Sequence, residues 1–196
     1  MKETATRSKK QTYHHGDLRS ALIATGLKLL ETKAGGEIGL REVARETGVS
    51  ATAVYRHFPD KDALMAALVD AGFDKLADAQ EAAAVPHEAR DARFRAIGQA
   101  YVHFALAHPA LFRVMTGYMH LSGTCEDGEV VGDNRAGRLL KDNIAALLPD
   151  AGKLEREVAT IQSLALVHGL AQLVLAGQVP NDPALIDAVV DRFGDW

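Results

Sequence analysis

Residues 39–61 constrain the fold of this chain more than any other segment, because they read as two short helices joined by a tight turn. Leu40, Val43 and Ala44 have the i, i+3, i+4 spacing of one apolar helix face. Gly48 follows where the chain must turn, and a residue without Cβ takes a positive φ there at little cost. The pattern predicts a helix-turn-helix unit, whose second helix enters the major groove of DNA.

The second helix of this unit has a clear start and a clear stop. Ser50 is a favourable N-cap for it. Pro59 stops it, because the residue before a proline is pushed out of the α region. We therefore predict a helix over residues 51–57, with Phe58 in the core.

The surroundings of this unit resemble a known family. Its second helix ends in Tyr-Arg-His-Phe-Pro-Asp-Lys at residues 55–61, and a long amphipathic helix over residues 13–31 precedes it. This combination resembles the N-terminal domain of TetR-family transcriptional regulators, closely over residues 13–70 and more loosely beyond. Residues 166–177 are similar to the late helix of the subgroup marked by a Trp-His-Gly motif, with Val167 in place of the tryptophan.

The resemblance implies which residues contact DNA. Arg56 suits guanine O6 and N7, and the methyl groups of Ala51 and Thr52 suit thymine. Lys61 resembles a phosphate-contacting position, beside the N–H groups at a helix start. Two alternatives stay open. Tyr55 is a packing residue in one, and His57 is a hydrogen-bonded residue between helices in the other. The predicted contacts are Ser50, Ala51, Thr52, Tyr55, Arg56, His57 and Lys61.

The distribution of charge fits a DNA-binding head on an acidic body. The chain has a net charge of −4, but residues 1–60 hold 10 Lys and Arg against 7 Asp and Glu, whereas residues 61–196 hold 12 against 19. A basic head attracts phosphate, and an acidic body does not adhere to the duplex. Residues 1–12 are predicted to be a disordered basic arm, either along the minor groove or as a solvated tail.

Composition bounds the class of protein. The chain has 196 residues and is 47% hydrophobic, without an uninterrupted apolar run of transmembrane length. Its first ten residues lack the apolar stretch of a signal peptide. One cysteine, Cys125, excludes an internal disulfide framework. We expect a cytoplasmic protein that does not bind membranes.

The fold class expected is all-α, with about nine helices and no strand. Three helices form the DNA-binding domain, residues 13–60, and the others form a ligand-binding and dimerisation domain, residues 61–196. An acidic, glycine-rich loop over residues 122–128 is expected to be mobile. The helices are predicted at about residues 18–33, 40–47, 51–57, 61–83, 88–107, 109–118, 131–148, 154–176 and 183–193.

The eighth helix is apolar nearly all round, so it must be covered on more than one side. In a body of this size we expect the second cover to be another copy of the chain. The resemblance implies a homodimer formed by the last two helices. The predicted interface residues are Leu166, Leu170, Leu173 and Val174.

A pocket for a small-molecule effector is implied by the resemblance. Polar side chains interrupt the apolar stretches of the fifth to eighth helices, as in a mostly apolar binding cavity. The alternatives are that the Met and Phe residues are plain core and that His168 makes a structural hydrogen bond. The predicted ligand contacts are Tyr101, Phe104, His108, Phe112, Met115, His168 and Gln172.

Other classes of function have less support. The sequence contains no zinc-protease, nucleophile-elbow or phosphate-loop motif, so no catalytic residue, metal site or cofactor is predicted. A metal or thiol sensor using Cys125 and a purely protein-binding module stay open. The favoured hypothesis is a repressor that binds a palindromic operator as a dimer and is released by an effector.

Overall fold

The computed structural model describes residues 18–32, 38–119 and 132–192. Within these ranges the chain forms nine α-helices and no strand, which confirms the all-α fold class. A helix-turn-helix unit at the N-terminal end is followed by a larger helical body. The helices are α1 (Leu18–Thr32), α2 (Leu40–Thr47), α3 (Ala51–Tyr55), α4 (Lys61–Ala84), α5 (Arg90–Ala107), α6 (Pro109–Met119), α7 (Arg135–Leu147), α8 (Lys153–Leu175) and α9 (Pro183–Asp191).

Most helix ends lie within two residues of their predicted positions. α3 ends at Tyr55 rather than His57, because the N–H groups of His57 and Phe58 both bond to the Val54 carbonyl and tighten the last turn. α7 begins at Arg135 rather than 131, because the Asn134 side chain caps it and accepts from the Gly137 N–H at 2.8 Å. The predicted arm, the loop over 122–128 and Cys125 lie outside the described residues.

The turn between α2 and α3 follows from one glycine. Gly48 has φ 75° and ψ 28°, and its N–H bonds to the carbonyls of Ala44 and Arg45 at the end of α2. Val43, Val54 and Phe58 are buried beneath this turn. These buried residues hold α2 against α3, and the exposed side chains of α3 lie on the outside of the unit.

The head and the body share one continuous core rather than a flexible connection. α4 passes from one to the other, and Leu68 in α4 packs against Gly26 in α1. Leu111 of α6 is buried in the same cluster as residues of the head. At the surface, His108 Nδ1 lies 3.2 Å from Glu31 Oε1, which links the α5–α6 corner to the end of α1.

A second core lies farther along the body, between α5, α8 and α9. Val102, Ala105, Ala171 and Ile186 are buried in it. A polar seam runs along the α5–α9 contact, where His103 Nε2 lies 2.7 Å from Asp187 Oδ1 and Gln99 Nε2 donates to Asp191 Oδ1 at 2.9 Å. This packing fixes which side of α8 faces inward.

Candidate functional site

α3 and α4 present the predicted DNA surface, and a side chain caps the start of each of these helices. Ser50 Oγ accepts from the Ala53 N–H at 3.2 Å and begins α3. Asp60 Oδ1 accepts from the Ala63 N–H at 2.8 Å and begins α4. These bonds satisfy amides that the helices leave without a partner. They also hold the α3–α4 corner in place.

The predicted DNA contacts lie together on the outside of α3 and at the start of α4. Thr52 and Tyr55 of α3 and the C-cap residue Arg56 have the spacing of one helix face, and all three are exposed. Tyr55 is 46% exposed, so it is not mainly a packing residue. Lys61 is exposed at the first position of α4.

The remaining predicted positions are partly covered. Ala51 and His57 are half-buried, and the exposed Ser50 is occupied as a cap. Phe58 is 1% exposed, as predicted for a core residue, and the Arg19 guanidinium carbon lies 5.3 Å from its ring centroid. The seven predicted residues therefore lie on one surface, but their side chains differ in solvent exposure.

The sequence reasoning missed two basic residues on the same head. Arg41 and Arg45 are exposed and lie one turn apart on α2. In a helix-turn-helix unit the first helix crosses the phosphate backbone. Their spacing of four residues is visible in the sequence, but the prediction for α2 used only its apolar stripe.

A cavity of about 690 Å³ lies in the body between α4, α5, α7 and α8. Its size falls in the range of small-molecule sites, roughly 300–1,000 Å³. Most of its wall is apolar. Representative wall residues are Phe73, Leu76, Phe94, Ile97, Leu140, Ile144, Leu147, Leu166 and Val167.

Only two of the seven predicted ligand contacts, Tyr101 and His168, line this cavity. The other five are directed elsewhere. Phe104 and Met115 are buried in the core shared with the head, and Phe112 is buried in the second core.

His108 and Gln172 are also directed away from the cavity. His108 pairs with Glu31 at the edge of the head, and Gln172 is exposed on the outside of α8. The prediction for these five residues is therefore corrected, because it treated aromatic and polar side chains on α5, α6 and α8 as one group. The helical twist places these side chains on different sides of their helices.

Tyr101 and His168 partner each other at one end of the cavity. The Tyr101 hydroxyl lies 3.0 Å from His168 Nδ1, and the Phe112 ring packs edge-on against Tyr101 with centroids 5.8 Å apart. Burial raises the pKa of Tyr101 well above its ordinary value. The phenol therefore keeps its proton and can donate to an unprotonated Nδ1. The structural hydrogen bond that the sequence left open for His168 is present.

The cavity wall also carries a charged pair that the sequence reasoning did not identify. Arg95 Nη2 lies 2.5 Å from Asp91 Oδ2, one turn apart on α5. The pKa of Asp91 is lowered, first by the Ala92 N–H and further by the charge of Arg95. The two formal charges compensate each other there.

α7 forms much of the cavity wall although its sequence is rich in charge. Arg135 lies 2.6 Å from both Asp78 Oδ1 and Glu81 Oε2 on α4, and these hydrogen bonds raise its pKa. The basic end of α7 is thus tied to α4, and the apolar side of α7 faces the cavity. Gln80 of α4, also missed by the sequence, lines the same space.

The outside of α8 is an apolar strip. Leu154, Val158, Ile161, Leu173 and Leu175 are exposed on α8, with Leu154 at 74%, and Ile161 also lines the cavity. The predicted interface residues Leu170 and Val174 lie on the opposite side, in the second core. Their assignment to a dimer interface is corrected for that reason. Leu166 is half-buried and lines the cavity.

α8 is long and apolar enough to span a bilayer by length and composition alone, and 33% of its apolar window is buried in this fold. Within the described part of the chain, no group of three or more His, Cys, Asp or Glu side chains is arranged to hold a metal ion.

Family models match both parts of this arrangement. Residues 22–68 match the model for bacterial regulatory proteins of the tetR family, and residues 94–193 match the tetracyclin repressor-like C-terminal domain. The chain belongs to the TetR family. Members of this family are bacterial regulatory proteins. The Trp-His-Gly subgroup stays a prediction.

Individual relatives agree with this family. The chain is 31% identical over 118 residues to the HTH-type transcriptional regulator EthR of Mycolicibacterium smegmatis, covering 56% of this chain and 52% of EthR. It is 32% identical over 99 residues to the nucleoid occlusion factor SlmA of Idiomarina loihiensis, covering 50% of each. The chain thus spans about half the length of the curated relatives it matches.

Solved structures match over nearly the whole chain. A protein of unknown function from Rhodococcus sp. RHA1 is 35% identical, with a TM-score of 0.73 and coverage of 95% of this chain and 96% of that one. A TetR family transcription regulator from Marinobacter aquaeolei VT8 has a TM-score of 0.66 at 16% identity, covering 90% and 93%. The latter supports the fold alone.

Proposed function

We propose that this TetR-family regulator is a cytoplasmic repressor that binds a palindromic operator as a homodimer and is released by a small-molecule effector. The observation that carries the DNA-binding part is the exposed face of α3, with Thr52, Tyr55 and Arg56 side by side. Side chains near the start of a recognition helix read base edges, and contacts to phosphate fix its register.

The basic side chains on the helices beside α3 support a specific mode of docking on DNA. Lys61 at the start of α4 and the exposed Arg41 and Arg45 of α2 lie on helices that flank α3. In this arrangement α3 lies in the major groove, while the flanking helices contact the sugar-phosphate backbone on either side. Arg56 is the residue best suited to a bidentate contact with guanine.

The homodimer is supported by the outer strip of α8. Five large apolar residues are exposed on one helix, which is more than a scattered surface leucine. A two-fold pairing of this strip covers it with itself and places two α3 helices for a palindrome. The half-sites must then be about 34–36 Å apart, or a multiple of that distance.

The effector part is supported by the cavity and by α4. α4 is one uninterrupted helix of 24 residues that begins at Lys61 on the DNA side and carries Gln80 on the cavity wall. At 1.5 Å per residue the two positions are about 28 Å apart. A ligand that favours one arrangement of α4 and α8 changes the spacing of the heads, so effector and DNA affinity are coupled.

A second candidate function comes from relatives named nucleoid occlusion factors, two of which match 50% and 68% of this chain. A protein of that type would act on DNA without being a repressor. The genomic positions of the DNA sites that this chain binds distinguish the two candidate functions, because a repressor binds beside the genes that it controls.

The test is to sequence genomic DNA fragments captured by the purified protein at physiological salt. We expect a recurrent palindrome beside a small number of genes. Arg56→Ala provides the control, since it should still retain DNA but lose preference at one base of each half-site. No enrichment by the wild type would contradict a repressor that binds without a co-ligand, and sites scattered far from promoters would favour the second candidate.

A further inference from the structure

The polar groups of the cavity are nearly all satisfied by the protein itself. Arg95 is neutralised by Asp91, and Tyr101 bonds to His168. The Ser163 hydroxyl donates to the Ala159 carbonyl at 2.7 Å. A ligand therefore meets no uncompensated charge in this wall, which disfavours an anion or a cation because either would lose hydration without gaining a partner.

Two further polar residues in the wall are also occupied. The Thr116 hydroxyl donates to the Arg113 carbonyl at 3.3 Å, and Asn134 caps α7. These bonds lie within or beside single helices and do not depend on an occupant. They leave the cavity with an apolar surface and few points that can orient a ligand.

Among the buried side chains of the cavity wall Gln80 is the exception, whereas Gln162 also lines the cavity but is exposed to solvent. The Gln80 side chain is 5% exposed, its Nε2 donates to the Ile97 carbonyl at a long 3.3 Å, and its Oε1 accepts no hydrogen bond from the described residues. A buried carbonyl oxygen without a donor is unfavourable. Gln80 lines the cavity, and the terminal torsion of a glutamine is soft, so its amide can reorient toward an occupant.

We propose that the cavity binds a neutral, largely apolar molecule that donates one hydrogen bond to Gln80 Oε1. The inference rests on the proposed effector role of this cavity and names the chemical class of its ligand. The apolar walls of α5, α7 and α8 supply most of the contact area. The Gln80 oxygen orients the molecule, because it is the buried acceptor of this wall that receives no hydrogen bond from the described residues.

The test compares 4-hexylphenol, its methyl ether 4-hexylanisole and the anion 4-hexylbenzoate by calorimetric titration of the full chain. The three share an apolar tail and differ in the donor and the charge. We expect the phenol to bind about tenfold more tightly than the ether, which corresponds to one buried hydrogen bond. The benzoate should bind more weakly than either.

Gln80→Met keeps the length of the side chain and removes the acceptor. It should reduce the phenol-to-ether ratio to near one while leaving ether affinity within about threefold. Gln80→Leu is a second variant should the first not fold. Thr116→Val is the matched control, because Thr116 also lines the cavity but its hydroxyl is already engaged. The control should keep the full ratio.

An equal phenol-to-ether ratio in wild type and Gln80→Met would overturn the proposal, as would tighter binding of the benzoate or no binding of either neutral compound. Failure of the proposed function is a separate result, because DNA capture is measured without ligand. Ligand binding as expected with no effect on DNA affinity would retain the ligand class and remove the effector role.

Discussion

Arg56 and Lys61 are both exposed cations on the head, yet their settings predict different effects. Arg56 follows α3, whereas Lys61 is the first residue of α4, at a helix start, which itself favours phosphate. We expect Lys61→Ala to weaken binding to all DNA sequences alike. It should also reduce the slope of log affinity against log salt by about one for each bound copy.

The measurement is a salt titration of affinity for the captured palindrome and for an unrelated duplex. Arg56→Ala is the comparison, because it should lower affinity for the palindrome more than for the unrelated duplex. If Lys61→Ala lost only the palindrome and kept the salt slope, Lys61 would read bases rather than bind phosphate.

Tyr101 provides a residue-scale prediction about pH. Since burial raises its pKa, the folded chain holds the phenolic proton more tightly than the unfolded chain does. Its contribution to stability is thus complete below the unfolded value of about 10 and is lost as the pH rises above that value. We expect one tyrosine to ionise only as the fold is lost, seen in near-ultraviolet absorbance beside circular dichroism.

Tyr101→Phe identifies the group. The variant should lack the late-ionising tyrosine, and its loss of structure at alkaline pH should begin at a higher value than in the wild type. The same late group in Tyr101→Phe would mean that another of the four tyrosines is responsible.

At the scale of elements, the contact of α4 with α6 depends on one glycine. A Cβ at Gly72 would lie 2.7 Å from Met115 Sδ and 3.1 Å from Leu111 Cδ1, whereas a Cβ at Gly117 of α6 meets nothing within 4 Å. We expect Gly117→Ala to raise the free energy of unfolding by about 0.5–1 kcal/mol through helix propensity. Gly72→Ala should instead lower it by about 1–3 kcal/mol through overpacking.

Urea denaturation at one fixed protein concentration measures both changes, since a dimer's stability depends on concentration. An equal gain in the two variants would show that Met115 and Leu111 move aside without cost. In that case α6 would pack too loosely on α4 to transmit a change between the body and the head.

The elements themselves were predictable because their signals are local. Ser50, Gly48 and Asp60 mark the boundaries of α2, α3 and α4, and each makes the backbone or cap contact expected of its residue type. The orientation of α8 was not predictable. It is apolar on both sides, so Leu170 and Leu173 look alike in the sequence, and only packing against α5 and α9 separates them.

The cavity was only partly predictable for a related reason. Tyr101 and His168 could be named from one stretch of sequence each, but the opposite wall comes from α7, whose charges suggested exposure. The ion pairs between Arg135 and α4 fix the orientation of α7 toward the cavity. They join positions that are far apart in the chain. Gln80 carried no signal, because a glutamine among alanines is ordinary until its surroundings are known.

For the whole molecule, the proposed dimer depends on the outer strip of α8. Val158 and Leu173 lie on its first and second halves, are exposed, and do not line the cavity. A glutamate at either position places a charge in an apolar interface, where it has no partner. We expect Val158→Glu and Leu173→Glu each to shift the protein toward monomer at micromolar concentration, measured by sedimentation velocity.

Val85→Glu is the matched control, because Val85 is an equally apolar residue, 81% exposed, but lies at the end of α4 rather than on α8. It should remain dimeric. Since a palindrome requires two α3 helices at a fixed spacing, the monomeric variants should also lose operator binding while keeping their helical content. Dimers that persist in both α8 variants would place the interface elsewhere, and a dimer lost in Val85→Glu would move it toward α4.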